Sequence, residues 1–175
     1  MRKRAMEELG RLSVTQFRAA HKHPIVVVLD NIRSMHNVGS VFRTADAFLI
    51  AGVYLCGYTP RPPHRDIQKT ALGATETVQW TYFPDTLSAL LALKQEGYLI
   101  YAVEQTDQSV LLPDFQVPEH PFALVFGNEV AGVADPVLGV CDGSIEIPQF
   151  GMKHSLNISV AAGIVLWEMV RASAN

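Results

Sequence analysis

The sequence lacks several features that would place the protein in a specialised class. It has only two cysteines, Cys56 and Cys141, and neither stands at the spacing of a metal site. No apolar run approaches the roughly 20 residues that a membrane span needs, and the basic amino terminus has no apolar stretch of a signal peptide. We therefore expect a cytoplasmic protein with two buried free thiols, no metal and no membrane association.

Charged residues are also scarce. They make up 18% of the 175 residues, against roughly 25% in ordinary globular proteins, whereas 49% of the residues are hydrophobic. A chain of this length and composition can fill one core, so we predict a single domain over residues 1–175. The low charge also indicates that a partner chain covers part of the surface.

The charges that are present divide the chain into a basic and an acidic part. Residues 1–69 hold 11 of the 14 Lys and Arg residues and 5 acidic residues, a balance of +6, whereas residues 70–175 hold 3 basic and 12 acidic residues, a balance of −9. A polyanion would be attracted to the first part and repelled by the second. The alternative is a solvated charged face without a ligand.

Hydrophobic periodicity predicts an α/β fold with a mostly parallel sheet flanked by helices. Strands are predicted at residues 25–29, 52–55, 77–83, 98–103, 122–126 and 144–147, and helices at about 38–49, 85–95 and 155–171. A short basic helix within residues 1–22 is predicted before them, without a separate domain of its own. Residues 59–65 (TPRPPHR) are predicted to form a proline-rich loop.

Three short polar blocks interrupt the apolar pattern. They read NIRSMHNVGSVFR at 31–43, GNEVAG at 127–132 and PQFGMKHSLN at 148–157, and each follows a predicted strand. The carboxyl ends of parallel strands share one edge of a sheet, where open α/β folds bind ligands. We therefore expect the functional site in these blocks.

Individual residues in the blocks allow more than one interpretation. Arg43 projects away from the apolar stripe of its helix and suits a phosphate contact, but an ion pair with Asp46 or Asp30 explains its position equally well. Asn37 is placed to cap that helix. Glu129 either binds a ligand or caps a turn.

The last predicted helix is apolar nearly all round, which predicts burial by the core or by another subunit. Ser155 is placed as its N-cap, so Asn157 falls in the first turn, where a buried amide needs hydrogen-bond partners. The glycines of the second block do not form the G-x-G-x-x-G fingerprint, which weakens the hypothesis of a nucleotide-dependent oxidoreductase.

Taken together and in order, the blocks resemble the three motifs of the SpoU family of RNA ribose 2′-O-methyltransferases, within the SPOUT superfamily. The matching residues are Asn37, Gly39, Arg43, Gly127, Glu129, Gly132, Pro148, Ser155, Leu156 and Asn157. The resemblance covers about residues 25–170 and includes the segment Lys69–Ala74. Each motif alone is common, whereas three in this order and spacing are specific.

The resemblance implies a deep trefoil knot in the carboxyl-terminal part and a homodimer with its sites beside the subunit interface. It also implies S-adenosylmethionine as cofactor, S-adenosylhomocysteine as product, and no metal. The implied cofactor-binding residues are Val103, Glu104, Phe126, Gly127, Ile147, Met152, Ser155 and Leu156. The family assigns Arg43 to activation of the ribose 2′-hydroxyl, with Asn37, Glu129, Ser155 and Asn157 shaping the catalytic site.

The resemblance further implies an RNA substrate, with tRNA favoured over rRNA. Because the first part of the chain is basic, the predicted RNA-binding residues lie there: Arg33, Arg43, Arg61, Arg65 and Lys69. The alternative function is a catalytically inactive protein of the same fold that binds RNA or the cofactor.

Overall fold

Strands and helices alternate along residues 1–152 and 155–173, the part of the chain that this computed structural model describes. The strands are β1 (His23–Asp30), β2 (Ile50–Cys56), β3 (Trp80–Phe83), β4 (Leu99–Val103), β5 (Val110–Leu111), β6 (Phe122–Phe126) and β7 (Gly143–Glu146). The α-helices are α1 (Val14–Ala19), α2 (Met35–Ala47), α3 (Arg65–Ala71), α4 (Ala74–Thr77), α5 (Thr86–Gln95), α6 (Asp135–Leu138) and α7 (Ile158–Ser173), and short 3-10 turns lie at Met6–Leu9 and Leu112–Asp114.

The seven strands form one sheet in the order β3-β2-β1-β6-β4-β7-β5, and every pair of neighbouring strands is parallel. This confirms the predicted α/β class. The five apolar residues at 25–29 lie in β1, near the centre of the sheet, and all five are buried. A central strand of a parallel sheet is covered on both faces, which explains why its residues do not alternate with polar ones.

Helices cover both faces of the sheet. On one face, alternate β1 residues Ile25, Val27 and Leu29 pack in a cluster that also includes the buried stripes of α2 and α7. On the other face, Val26 and Val28 pack in a cluster with α5 and α6. Because successive side chains of a strand point to opposite faces, β1 contributes to both clusters.

The strand order brings the three polar blocks to one edge of the sheet. Leu29 near the end of β1 pairs with Phe126 at the end of β6, and Phe126 pairs with Val103 at the end of β4. Val103 in turn pairs with Ile145 in β7. The segments that follow β1, β6 and β7 are the three blocks, so they leave the sheet at neighbouring carboxyl ends.

Several predicted boundaries are wrong. Helix α2 begins at Met35 and not at Val38, because the Ser34 hydroxyl accepts a hydrogen bond from the Asn37 amide and caps the helix in place of Asn37. The strand predicted at 77–83 begins at Trp80, since α4 extends to Thr77 and is capped by Val78. In place of the single amino-terminal helix there is a 3-10 turn that ends at Gly10, whose φ is 59°, followed by the short helix α1. Helices α3, α4 and α6 and strand β5 were not predicted.

The two thiols differ from the prediction in one respect. Cys56 is buried, but Cys141 is only half-buried. Burial raises the pKa of Cys56 to about 12 and that of Cys141 to about 11, so both thiols are protonated at neutral pH. Within the described ranges, no helix is both long and apolar enough to cross a membrane. The trefoil knot and the single-domain organisation stay predictions.

Candidate active site

The second block, GNEVAG, folds into a tight turn after β6. The backbone amide of Asn128 donates to the Gly132 carbonyl at 3.0 Å, and the Gly132 amide donates back at 2.9 Å. A Cβ on Gly127 would lie 2.2 Å from the Gly132 carbonyl carbon and 2.2 Å from the Val133 nitrogen. Glycine is therefore required at 127 because two backbone segments approach each other there. The turn presents Glu129 to the first block.

The Glu129 carboxylate joins the second block to the first. It accepts hydrogen bonds from the backbone amides of Arg33 at 2.9 Å and Ser34 at 3.1 Å, and from the Asn37 side-chain amide at 3.1 Å. Burial acts to raise the pKa of Glu129, but these donors outweigh it and the pKa lies below its ordinary value. Glu129 is therefore an anion that holds the start of α2.

Asn37 and Asn157 join the first block to the third. The Asn157 side-chain amide donates to the Asn37 side-chain oxygen at 3.2 Å. The Asn157 side-chain oxygen accepts from the Ser159 backbone amide at 2.8 Å and from the Ser159 hydroxyl at 2.7 Å. Asn157, and not Ser155, therefore caps α7, which begins at Ile158. The prediction that Ser155 caps this helix is wrong, because the helix starts three residues later.

These contacts form one continuous series of side chains, Glu129–Asn37–Asn157, with one member from each polar block. Asn37 is at its centre and is buried. A buried amide needs partners on both its donor and its acceptor, and this series supplies them. Lys153 and His154 of the third block lie outside the described residues.

A cleft of about 690 Å³ opens beside this series. Seven of the eight predicted cofactor-binding residues line it: Val103, Glu104, Phe126, Gly127, Ile147, Ser155 and Leu156. Met152 is not part of its walls, and its side chain is 82% exposed. Glu129 and Asn157 also line the cleft. Its volume is in the range of small-molecule sites, about 300–1,000 Å³.

The walls of the cleft combine apolar side chains with polar backbone. Leu138, Ile145 and Ile147 provide apolar surface, while the turn at 127–133 contributes peptide groups. The Glu104 carboxylate is held by the backbone amides of Gln105 at 2.9 Å and Val133 at 3.0 Å. Apolar walls with a few polar groups are typical of small-molecule sites. Among residues 1–152 and 155–173, no cluster of His, Cys, Asp or Glu could hold a metal ion.

Arg43 lies on α2 outside the walls of the cleft, with its side chain exposed. The two carboxylates considered as its ion-pair partners are engaged elsewhere: Asp46 accepts from the Thr77 hydroxyl, and Asp30 from Asn31 and Thr86. Arg43 makes no ion pair with any residue that the structure describes. Its guanidinium is therefore available to a ligand.

The remaining predicted RNA-binding side chains are also exposed: Arg33, Arg61, Arg65 and Lys69. The Arg61 guanidinium lies 4.1 Å from the centre of the Tyr82 ring, a cation–π contact. Lys69 forms an ion pair of 2.7 Å with Asp66.

Sequence reasoning gave no role to Asn31 or Asn128. The Asn128 side-chain amide donates to the Asn31 carbonyl at 2.8 Å, which is a further link between the first two blocks. Its side-chain oxygen accepts from the amides of Val130 and Ala131, which shapes the turn. The sequence contained one signal for this role, because Asn is favoured in turns where its side chain bonds to nearby backbone.

Comparison with known proteins places this chain in a family. A model of the SpoU rRNA Methylase family matches residues 24–167. The tRNA (guanosine(18)-2′-O)-methyltransferase of Thermus thermophilus is 31% identical over 170 residues, which cover 96% of this chain and 85% of the relative.

Two solved structures share the fold, and both are described as RNA-modifying enzymes. The Aquifex aeolicus TrmH/SpoU tRNA modifying enzyme has a TM-score of 0.82 and 28% identity, covering 92% of this chain and 82% of that one. An AdoMet-bound rRNA methyltransferase from Sinorhizobium meliloti has a TM-score of 0.78 and 26% identity, covering 89% and 59%. The resemblance of the three blocks is thus confirmed over most of the sequence: this chain belongs to the SpoU rRNA Methylase family.

Proposed function

We propose that this protein transfers a methyl group from S-adenosylmethionine to a ribose 2′-hydroxyl of RNA. The observation that carries the proposal is the Glu129–Asn37–Asn157 series, which joins the three family motifs beside one cleft. Family membership and the 2′-O-methyltransferase activity of the Thermus relative support the same reaction.

The cleft is the proposed cofactor site. Its volume and its mixture of apolar side chains and peptide groups fit an adenosine moiety, and the Sinorhizobium neighbour binds AdoMet. Val103, Glu104, Phe126, Gly127, Ile147, Ser155 and Leu156 would hold the cofactor. When bound, the cofactor supplies a methyl group on a positively charged sulfur that leaves as the neutral thioether S-adenosylhomocysteine, so the reaction needs no metal.

The protein has to orient the ribose hydroxyl in line with the methyl group and to accommodate the loss of its proton. We assign Arg43 to the catalytic step. An arginine side chain carries a positive charge at ordinary pH, so it stabilises the developing alkoxide or an adjacent phosphate and does not accept the proton. In the transfer, the 2′-oxygen would form a bond to the methyl carbon as the carbon–sulfur bond breaks, and the 2′-hydroxyl proton would pass to solvent. Glu129, Asn37, Asn157 and Ser155 shape the site around this step.

We further propose that RNA, with tRNA favoured over rRNA, binds along the basic part of the chain. Exposed Arg33, Arg61, Arg65 and Lys69 suit phosphate contacts, which provide affinity without sequence selection. The Thermus relative acts on tRNA and the Sinorhizobium neighbour is an rRNA methyltransferase, so the choice of RNA has to be tested directly.

A homodimer in the cytoplasm is the proposed state of the protein. Helix α7 exposes Val160 at 50%, Ile164 at 39% and Trp167 at 54%. These residues are four and three apart and therefore lie along one stripe of the helix. A second copy would bury this stripe, and the low content of charged residues agrees with such an interface.

The experiment that tests the function incubates the purified protein with methyl-labelled S-adenosylmethionine and unmodified total RNA. Label in RNA that becomes resistant to alkaline cleavage at one phosphodiester indicates a 2′-O-methyl group. Calorimetry with S-adenosylmethionine alone is the parallel measurement. Binding of cofactor without transfer to tRNA or rRNA would favour the alternative, an inactive binding protein. Absence of both binding and transfer would contradict the proposal.

A further inference from the structure

Tyr58 follows β2 and is an exposed aromatic side chain that the protein holds at both ends. Its side chain is 62% exposed. Its backbone amide donates to the Asn31 side-chain oxygen at 3.2 Å, and its phenol oxygen accepts a hydrogen bond from the Asn128 side-chain amide at 2.8 Å. An exposed ring usually rotates freely, whereas this one is fixed at both its backbone and its hydroxyl group.

The backbone around Tyr58 adopts an uncommon conformation to achieve this. Asn31 has a φ of 54°, in the left-handed region that Asn tolerates better than most residues. Gly57 has a φ of +64°, and a Cβ at this position would lie 2.0 Å from the Asn31 side-chain oxygen. The Asn31 amide group in turn donates to the buried Asp30 carboxylate at 2.9 Å. Asp30, Asn31 and Gly57 therefore form a rigid support for Tyr58.

The supported ring belongs to the same loops as the proposed active site. Asn128, which bonds to the Tyr58 hydroxyl group, directly precedes Glu129 in the GNEVAG turn. Asn31 is two residues before Arg33, whose backbone amide bonds to Glu129. The exposed guanidinium of Arg61 follows in the proline-rich loop. An aromatic face and cationic side chains therefore lie on loops that meet at one edge of the sheet.

We propose that Tyr58 is a stacking platform for a nucleobase of the RNA substrate, and that it determines RNA binding without taking part in methyl transfer. Single-stranded RNA is bound by stacking of unpaired bases on aromatic side chains next to a basic groove. A platform that is already fixed loses little conformational entropy on binding. This inference rests on the proposed function, because it assumes that RNA reaches the loops around Glu129.

The competing explanation is that Tyr58 only fixes the loop through its hydroxyl group. The two explanations differ in what the hydroxyl group and the ring each contribute. In Tyr58→Phe the ring remains and only the Asn128 contact is lost, while the second bond of that Asn128 amide, to the Asn31 carbonyl, persists. In Tyr58→Ala both the ring and the hydroxyl contact with Asn128 are lost. Stacking requires the ring, whereas a loop clamp requires the hydroxyl group.

The test measures three quantities for wild type, Tyr58→Phe, Tyr58→Ala and the control Leu91→Ala. These are the Kd for unmodified tRNA transcripts, the Kd for S-adenosylmethionine, and the KM and kcat of methyl transfer. Leu91 is 54% exposed on α5 and has no part in the proposed site, so it controls for loss of an exposed apolar side chain.

Stacking predicts that Tyr58→Ala raises the RNA Kd and the KM for RNA by about 5- to 150-fold. Leu91→Ala should stay within twofold of wild type, whereas Tyr58→Phe should lose less affinity than Tyr58→Ala, because the ring remains and only its fixing by Asn128 is lost. The Kd for S-adenosylmethionine should be unchanged in all variants. If Tyr58→Ala binds RNA normally, or if Tyr58→Phe is as defective as Tyr58→Ala, the platform is refuted. Wild-type protein that fails to methylate any RNA would refute the proposed function instead, and the binding measurements would still test the platform.

Discussion

Gly127→Ala is the substitution whose effect the structure specifies most closely. The added Cβ would lie 2.2 Å from two backbone atoms, the Gly132 carbonyl carbon and the Val133 nitrogen. Non-bonded carbon atoms pack at about 3.5–4.0 Å, so the two backbone segments must separate by more than about 1 Å. Neither segment is the flexible end of a side chain, which could move aside at little cost.

The magnitude follows from what this separation breaks. The turn is closed by two backbone hydrogen bonds between Asn128 and Gly132, of 3.0 and 2.9 Å, each contributing about 1 kcal/mol. Forcing an extra methyl group into a packed site costs about 1–3 kcal/mol. We therefore expect Gly127→Ala to lower the free energy of unfolding by about 3–5 kcal/mol. Because Gly127, Gly132 and Val133 all line the cleft, affinity for S-adenosylmethionine should fall as well.

Urea unfolding followed by circular dichroism measures the first effect, and calorimetry with S-adenosylmethionine the second. Gly139→Ala is the matched control, because Gly139 has a φ of −62° and a Cβ there would meet only ordinary contacts at 3.6 Å. That variant should be within about 1 kcal/mol of wild type. The reasoning is refuted if Gly127→Ala is as stable as Gly139→Ala and binds the cofactor with wild-type affinity.

Three further predictions concern chemistry, pH and assembly. Arg43→Ala should abolish methyl transfer while the calorimetric Kd for S-adenosylmethionine stays near wild type, since Arg43 lies outside the cleft; retained turnover would contradict its catalytic role. Glu129→Gln should be less stable than wild type by about 1 kcal/mol at pH 7, after allowance for solvent screening. The folded-state pKa of Glu129 is lowered, so its carboxylate contributes to the free energy of unfolding above the ordinary pKa near 4.5, and this contribution is lost as the pH falls through the folded-state pKa. Urea unfolding should therefore show the free energies of unfolding of the two proteins converging in acid. A difference that stays constant with pH would contradict this. Trp167→Asp should convert a dimer to monomer or insoluble protein, and an unchanged sedimentation coefficient would count against α7 as the interface.

The central elements of the fold could be predicted because local pattern determines them. The run at 25–29 has five apolar β-formers and became the buried strand β1. The start of α2 could not be predicted, because Ser34 and Asn37 are both good caps and only the Asn37 contact with Glu129 shows that its side chain is used elsewhere. Helices α3 and α4 are short and meet at Leu72 and Gly73, both with positive φ, so neither has a long enough periodic pattern.

The location of the site could likewise be predicted, but the hydrogen bonds between its side chains could not. Strand-end position was enough to group the polar blocks at one edge of the sheet. Asn37 pairs with Glu129, 92 positions away, and with Asn157, 120 positions away. No local sequence pattern shows which side chains become hydrogen-bond partners at such separations. The resemblance to a family supplied the residues, whereas the contacts between them came only from the structure.

The wide separation of these partners has a consequence for how the protein acquires activity during synthesis. Asn37 emerges from the ribosome long before Asn157, so its buried amide lacks one of its two partners until the last helix has been made. Contacts between distant residues form late, because chain entropy must be lost before they can contribute. A nascent or truncated chain that stops before Asn157 would lack both the completed site and helix α7, whose buried side chains cover one face of the sheet. Only molecules that have completed folding would then bind the cofactor, and the bound cofactor would stabilise these molecules against unfolding.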